Sequence, residues 1–509
     1  MTRDQARLRQ GQARQVDEAV AGRDEQRQIP KAVRVDTPDD RAKHFHARRG
    51  SDNEERAHST FRCQRLESSE EDEPRRGAED QLAVQADGHV DPEDSEEERD
   101  DEGGEDPGTR SHPKGQNRGV RRYDAIVVGA GPAGSVTAYR LAAAGADVLL
   151  LDRATFPRDK PCGGGVTERA ARLLPFSIDP VVEDVATSVD LRLRYGRTLR
   201  RGDGVPLVHL TQRKRLDLFL AERASAAGAD FRDGVRVTGV ESGEGGVAVL
   251  SGKTRYEAEL LVGADGANGI TGRALELGGN QHVGVALEGN LPASRLRADY
   301  RGKLVLEFGI IPGGYGWVFP KGDHVNFGVG GWGREGPALR EHLGRLCQAH
   351  GVAAADLEQV RGYRLPLRSA RSTLARGRAL VVGDAAGLID PVSGDGMFEG
   401  FLSSQYAADA ALDLLGGRAS TLDPYGPRLA KRLATHLWAS WGVKVALDRF
   451  PRSTFALAST RVVWGAVERI VRGDVADVSG VSGLARPPLK LVKLLVRASG
   501  DPGRAFRGA

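Results

Sequence analysis

Gly129, Gly131 and Gly134 have the spacing of a turn that holds a pyrophosphate, and Asp152 stands twenty-three residues after the first of them. Gly129 permits the tight turn, Gly131 lets the backbone approach the phosphates at a helix N-terminus, and Gly134 lets helix and strand pack closely. Asp152 can accept hydrogen bonds from a ribose, and Arg153 beside it is grouped with the nucleotide-binding residues. Two more carboxylates sit in small-residue turns, Asp265 in Gly263-Ala264-Asp265-Gly266 and Asp384 in Gly383-Asp384-Ala385-Ala386-Gly387. Each could bind a polyol, and each could be a plain turn residue. Three such turns, each after an apolar run, favour the ligand. Cys162 precedes three glycines beginning at Gly163, a loop whose backbone can approach a ligand. A free cysteine is more often a small buried hydrophobe. Tyr315, Trp317 and Phe319 alternate between Pro312 and Pro320. On a strand they share one face. That face is a wall for a flat apolar chain, or an ordinary piece of core.

Particular elements must position these groups. Ala125-Ile126-Val127-Val128 has strand length and runs straight into the glycine turn. An alanine-rich helix from Ser135 to Ala144 follows, closed by Gly145, and Ala146 to Leu151 is a second strand ending in Asp152. A membrane helix over 124–151 is excluded by Arg140, Asp147 and the glycines. The context makes this a dinucleotide-binding unit. Leu260 to Gly263 and Ala379 to Val382 read as strands delivering Asp265 and Asp384. Pro391, Gly394, Asp395, Gly396 and Met397 then lead into a long helix, Met397 to Leu415. Its first N–H groups would face the electron-rich edge of a flavin ring. Asp395 would oppose negative charge there unless its side chain turns away.

The three turns in this order resemble the FAD-dependent oxidoreductases of the hydroxylase-like superfamily, over roughly residues 120–415. Pro312-Gly313-Gly314-Tyr315-Gly316-Trp317-Val318-Phe319-Pro320 reads PxxYxWxFP and resembles the signature of the geranylgeranyl reductase family. The Cys162-Gly163-Gly164 loop, and Arg213 four residues before Asp217, are similar to further motifs of that family. The resemblance implies an α/β fold: a three-layer, Rossmann-like FAD-binding domain over 120–420 interleaved with an antiparallel-sheet substrate domain from about 183–210 and 275–370, then a helical segment over 421–509. It implies FAD bound by Gly129, Gly131, Gly134, Asp152, Arg153, Cys162, Gly163, Arg213, Asp265, Gly383, Asp384, Pro391, Gly394, Gly396 and Met397. It implies hydride transfer from reduced flavin to a double bond of an isoprenoid chain, with Cys162, Tyr315 and Trp317 catalytic and Tyr315, Trp317 and Phe319 lining the substrate cavity. Tyr315 and Cys162 are the candidate acids for the accompanying proton. The donor is NADPH or a ferredoxin. Gly328 to Gly333 imitates a second nucleotide turn but carries no helix pattern, and reads as a strand end and loop.

Composition bounds the rest. Three cysteines in 509 residues exclude a disulfide scaffold and a four-thiolate metal site, and no metal is expected. They fit a reducing, cytoplasmic compartment. A net charge of +3 gives no bulk attraction to nucleic acid. Residues 1–119 hold no Trp or Tyr, and eleven of the sixteen residues from Asp91 to Asp106 are acidic. This extension is expected to be disordered. It is either an interaction tail or the product of a start codon placed too early. Residues 488–497 form a basic amphipathic pattern that suits either a membrane surface or a cap on the core. Rival readings are a flavin monooxygenase, which has no reason to carry PxxYxWxFP with the Cys-Gly-Gly loop, a flavin-dependent halogenase, which needs a placed lysine, and an interaction protein acting through 1–119.

Overall fold

The computed structural model describes residues 121–278, 282–296, 299–367, 372–476 and 480. The expectations for 1–119 and for 488–497 lie outside these residues.

The apolar runs become the centre of an eight-stranded sheet. Its main path runs Ala375–Arg376, Ala379–Val381, Thr254–Gly263, Arg122–Val128, Val148–Leu151 and Asp230–Arg232. The last five of these strands pair in parallel. Parallel strands are buried on both faces, and Ile126, Val127, Leu149, Leu150, Leu261 and Leu380 are fully buried. The hairpin Gly239–Gly243 and Gly246–Ser251 adds to Thr254–Gly263 in antiparallel fashion. The helix Pro132–Ala143 packs against Arg213–Ala226 and against the long helix Met397–Leu415. Pro132 opens the first of these, one turn earlier than the alanine run suggests, because proline suits a first helical turn.

A second sheet has seven strands in the order Glu358–Leu367, His282–Pro292, His324–Trp332, Tyr315–Lys321, Lys303–Phe308, Ser188–Leu193 and Leu199–Arg201. It is antiparallel except where Lys303–Phe308 meets Ser188–Leu193 in parallel. Chain segments on either side of the 213–278 stretch therefore build one sheet. Its back is covered by Leu339–Ala349, which places Leu343 and Leu346 in one core with Val318 and Phe327. Gly165–Thr167, Val208–Thr211 and Val182–Ala186 form a small third sheet.

One expectation is corrected here. Gly328 to Gly331 are interior residues of the strand His324–Trp332, not its end. A side chain at Gly328 would place its Cβ 2.0 Å from Cζ2 of Trp317. The glycine is there to let the indole lie flat on the neighbouring strand.

Candidate active site at the carboxyl ends of the parallel strands

Adjacent parallel strands release their chains at one edge, so motifs far apart in sequence converge there. The turns after Val128, Gly263 and Val381 all leave that edge. A Cβ on Gly129 would meet the carbonyl oxygen of Ala264 at 2.4 Å, and its φ is +104°. Gly134 has its Cβ position 1.8 Å from the Gly129 carbonyl, so both positions require glycine. Gly383 meets Ala133 of the first helix.

Gly131 caps that helix without a side-chain cap bond, so its first N–H groups stay available. The space beside Gly131 is bordered by two guanidinium groups, Arg158 Nη2 at 3.7 Å and Arg213 Nη2 at 4.0 Å from a Cβ placed there. Arg213 grips Asp217 with two bonds of 2.7 Å, and Arg158 reaches the same carboxylate at 2.7 Å. Burial works against the Arg213 charge, but the Asp217 carboxylate outweighs it and holds the guanidinium protonated. Free N–H groups and two fixed cations are a fit for a dinucleotide diphosphate. Arg158 was not found by sequence reasoning. Its only signal was a position six residues after Asp152 in a polar loop. Arg153, the expected basic residue, is exposed instead.

Asp152 accepts from the backbone N–H of Ala130 at 2.8 Å and of Ala154 at 2.9 Å. It ties the glycine turn to its own loop, and each oxygen keeps a further lone pair. Asp265 is engaged close to its own turn. Its oxygens accept from Ile270 N, Thr271 N and Thr271 Oγ1 at 2.6–2.9 Å, so it caps the short helix Thr271–Ala274. The turn reading applies to this carboxylate. Asp384 points into the site, where Lys160 Nζ at 3.1 Å and the Tyr363 hydroxyl at 3.0 Å both donate to it. Burial alone would raise its carboxyl; Lys160 and Tyr363 hold it below its ordinary value. Lys160 Nζ also lies 4.0 Å from the Cβ position of Gly266, so one ammonium sits beside two of the three turns.

The loop after Lys160 carries half-buried Cys162. Its N–H donates to Glu288 Oε1 at 2.7 Å, and its carbonyl accepts from Lys321 Nζ. Gly163 faces the aromatic strand, with Phe319 3.1 Å and Trp317 Nε1 3.5 Å from its Cβ position. Tyr315, Trp317 and Phe319 share the face toward this loop, while Val318 packs into the core behind. Trp317 Nε1 donates to Asn326 Oδ1 at 2.7 Å and its ring is buried, so it is a wall rather than a proton carrier. The Tyr315 hydroxyl donates to the Ser393 carbonyl, and burial pushes its ionisation well up.

Pro391, Gly394 and Gly396 lie in the turn before the long helix, which starts at Met397. Asp390 Oδ1 accepts from Val392 N, Ser393 N and Ser393 Oγ at 2.8–3.0 Å and sets the turn. The next helix, Tyr425–Arg449, supplies His436, whose Nε2 stands 3.2 Å from both Asp390 Oδ2 and Glu399 Oε1. Burial opposes the imidazolium, yet the two carboxylates beside it raise His436 to about 9. Asp395 does not turn away from the helix start: its Oδ1 accepts the Met397 N–H at 2.7 Å. One N–H expected to face the flavin is therefore already taken. Burial and the Glu399 charge push the Asp395 carboxyl up to about 7, which reduces the negative charge it brings. Asp390, Glu399 and His436 were missed because their partners lie on different helices and no local spacing links them.

The family model for an FAD binding domain matches residues 122–428. A geranylgeranyl diphosphate reductase of Rhodobacter capsulatus is 32% identical over 312 residues, covering 58% of this chain and 76% of that protein. The chain belongs to the geranylgeranyl reductase family of FAD-dependent oxidoreductases. A digeranylgeranylglycerophospholipid reductase of Methanopyrus kandleri is 31% identical over 418 residues, covering 74% of this chain and all of that protein. A solved structure of a geranylgeranyl bacteriochlorophyll reductase-like protein from Thermoplasma acidophilum superposes with a TM-score of 0.63 at 21% identity, over 75% of this chain and all of that one. The chain is thus an FAD-dependent oxidoreductase of the geranylgeranyl reductase type.

Proposed function

We propose that this enzyme reduces carbon–carbon double bonds of an isoprenoid lipid laid along Tyr315, Trp317 and Phe319. The observation that carries this is the aromatic row set directly against the Cys162-Gly163 loop. A flat, unbranched polyene matches such a wall, and burial there excludes water. FAD, once reduced, supplies the hydride. Arg158, Arg213 and the N-terminus of Pro132–Ala143 hold its diphosphate, and Asp152 and Asp384 meet its polyol groups. Trp317 and Phe319 position the chain, since an isolated alkene accepts hydride only at close approach. Tyr315 orients the turn at Ser393. Its hydroxyl is already committed to the Ser393 carbonyl, so the Cys162 thiol is taken as the proton source. A reduced nicotinamide or a ferredoxin is the electron donor.

The test is an anaerobic single turnover. The bound flavin is reduced chemically and mixed with a panel of polyprenyl lipids. Products heavier by hydrogen pairs, with matching flavin reoxidation, are expected from at least one lipid. If the flavin stays reduced with every lipid, and in air oxygenates an aromatic compound, the enzyme is a monooxygenase.

A further inference from the structure

Among the described residues, the large hydrophobic side chains that stand exposed are Val205, Phe450 and Val462. They are far apart in sequence but belong to one region. Phe450 begins the helix Pro451–Ala458, and Val462 lies in the next helix, Arg461–Arg472. Val205 follows Asp203, whose carboxylate pairs with Arg472 at the end of that second helix. Its loop is tied down again by Arg201, which donates to the Ser459 carbonyl at 2.9 Å between the two helices.

The same helices are basic. Residues 449–472 hold Arg449, Arg452, Arg461, Arg469 and Arg472 against one acid, Glu468. Arg472 is spent on Asp203 and Glu468 on the Trp464 indole. Arg449, Arg452, Arg461 and Arg469 are exposed around the apolar side chains. The neighbouring Asp448 is engaged by Gly313 N and Trp332 Nε1. Among the described residues, what remains is a surface of guanidinium groups without acidic partners and with protruding apolar wedges. An anionic lipid surface complements both features, the charges through headgroups and the wedges through the acyl boundary.

The inner side of the first helix reaches the site. Phe455 packs on Phe308 at 6.1 Å between ring centroids, Phe308 on Tyr315 at 5.7 Å, and Tyr315 on Trp317 at 6.0 Å. We propose that the paired helices 451–458 and 461–472, with the Val205 loop, are the face on which this enzyme docks to an anionic membrane, setting the aromatic row one helix away from the lipid. The proposal rests on the isoprenoid reading and names where that substrate resides.

The experiment uses the full, flavin-loaded chain. Sedimentation with vesicles of phosphatidylcholine alone, and of phosphatidylcholine mixed with phosphatidylglycerol, separates charge from apolar insertion. Binding is expected to the mixed vesicles, weakening with salt. The triple variant Arg449→Glu, Arg452→Glu, Arg461→Glu should weaken it on the order of a hundred-fold or more, given about five-fold per basic residue near the surface. Phe450→Asp with Val462→Asp should also release the protein. Both variants should retain their flavin and reduce detergent-dispersed substrate at the parental rate. If neither kind of vesicle sediments the parent chain, or if both variants sediment as well as it does, the docking face is refuted. Membrane binding is read without substrate, so its failure is distinct from failure of lipid reduction.

Discussion

Replacing Glu288 by alanine should release the Cys162 loop. Glu288 and Lys321 are 8% and 5% exposed, on neighbouring regions of the seven-stranded sheet, and grip opposite ends of one residue. The carboxylate takes the Cys162 N–H and the ammonium donates to its carbonyl. Burial raises the Glu288 carboxyl, while the Lys321 charge and the Cys162 N–H pull it back. Alanine would leave the half-buried Cys162 N–H without its acceptor, costing up to about 1–3 kcal/mol. If about 1–3 kcal/mol falls on closure of the loop, the opened fraction rises by roughly 5- to 150-fold. The assay is the alkylation rate of Cys162 in a Cys63→Ser background. Cys347 is buried and its thiol is pushed up to about 11 by burial, so it stays silent. Glu288→Gln retains an acceptor for the N–H and should alkylate far more slowly than Glu288→Ala. Equal alkylation of the parent and Glu288→Ala would refute the clamp, because the loop would then be held by something else.

The buried imidazolium predicts a pH-dependent stability. His436 is raised from 6.5 to about 9, so its contribution is fully present below its unfolded value and is lost as pH rises through about 9. The shift corresponds to about 3 kcal/mol at most. Lys444, lowered by burial to about 8, titrates with the opposite sign in an overlapping window. The difference between parent and His436→Gln in denaturant midpoints, from about pH 6 to about pH 10, therefore isolates the histidine; a difference independent of pH would sink the argument. At Gly328, alanine should drive the Trp317 ring off Asn326 and destabilise by about 1–3 kcal/mol, seen as a lower melting temperature and a shifted indole emission with flavin content unchanged. An unaltered emission would show that the indole does not need the glycine.

The nucleotide half of the site was legible from local spacing. The turn at Gly129 and Gly134 is a contact between residues a few positions apart, or between adjacent strands whose apolar runs announce themselves. The long helix begins at Met397 because the glycine turn before it is local as well. PxxYxWxFP was legible for a similar reason, since period-two alternation decides which side chains share a face.

Other roles depended on how separate chain segments meet. Asp265 and Asp384 have the same surroundings in sequence, an apolar strand and then small residues. One caps the helix at Thr271 and the other meets Lys160 and Tyr363, because the partners arrive from different parts of the chain. Arg158 rather than Arg153 lies beside Gly131 because the bend of a loop, which no spacing rule describes, turns one side chain toward it and leaves the other exposed. Glu288 and Lys321, which both grip Cys162, and His436 beside Asp390 and Glu399 are buried charges whose partners come from other elements. Sequence determined the elements, the turns and the shared face of the aromatic row. Tertiary packing decided which charges were buried and which partner each received, because only there does removal from water make a particular partner necessary.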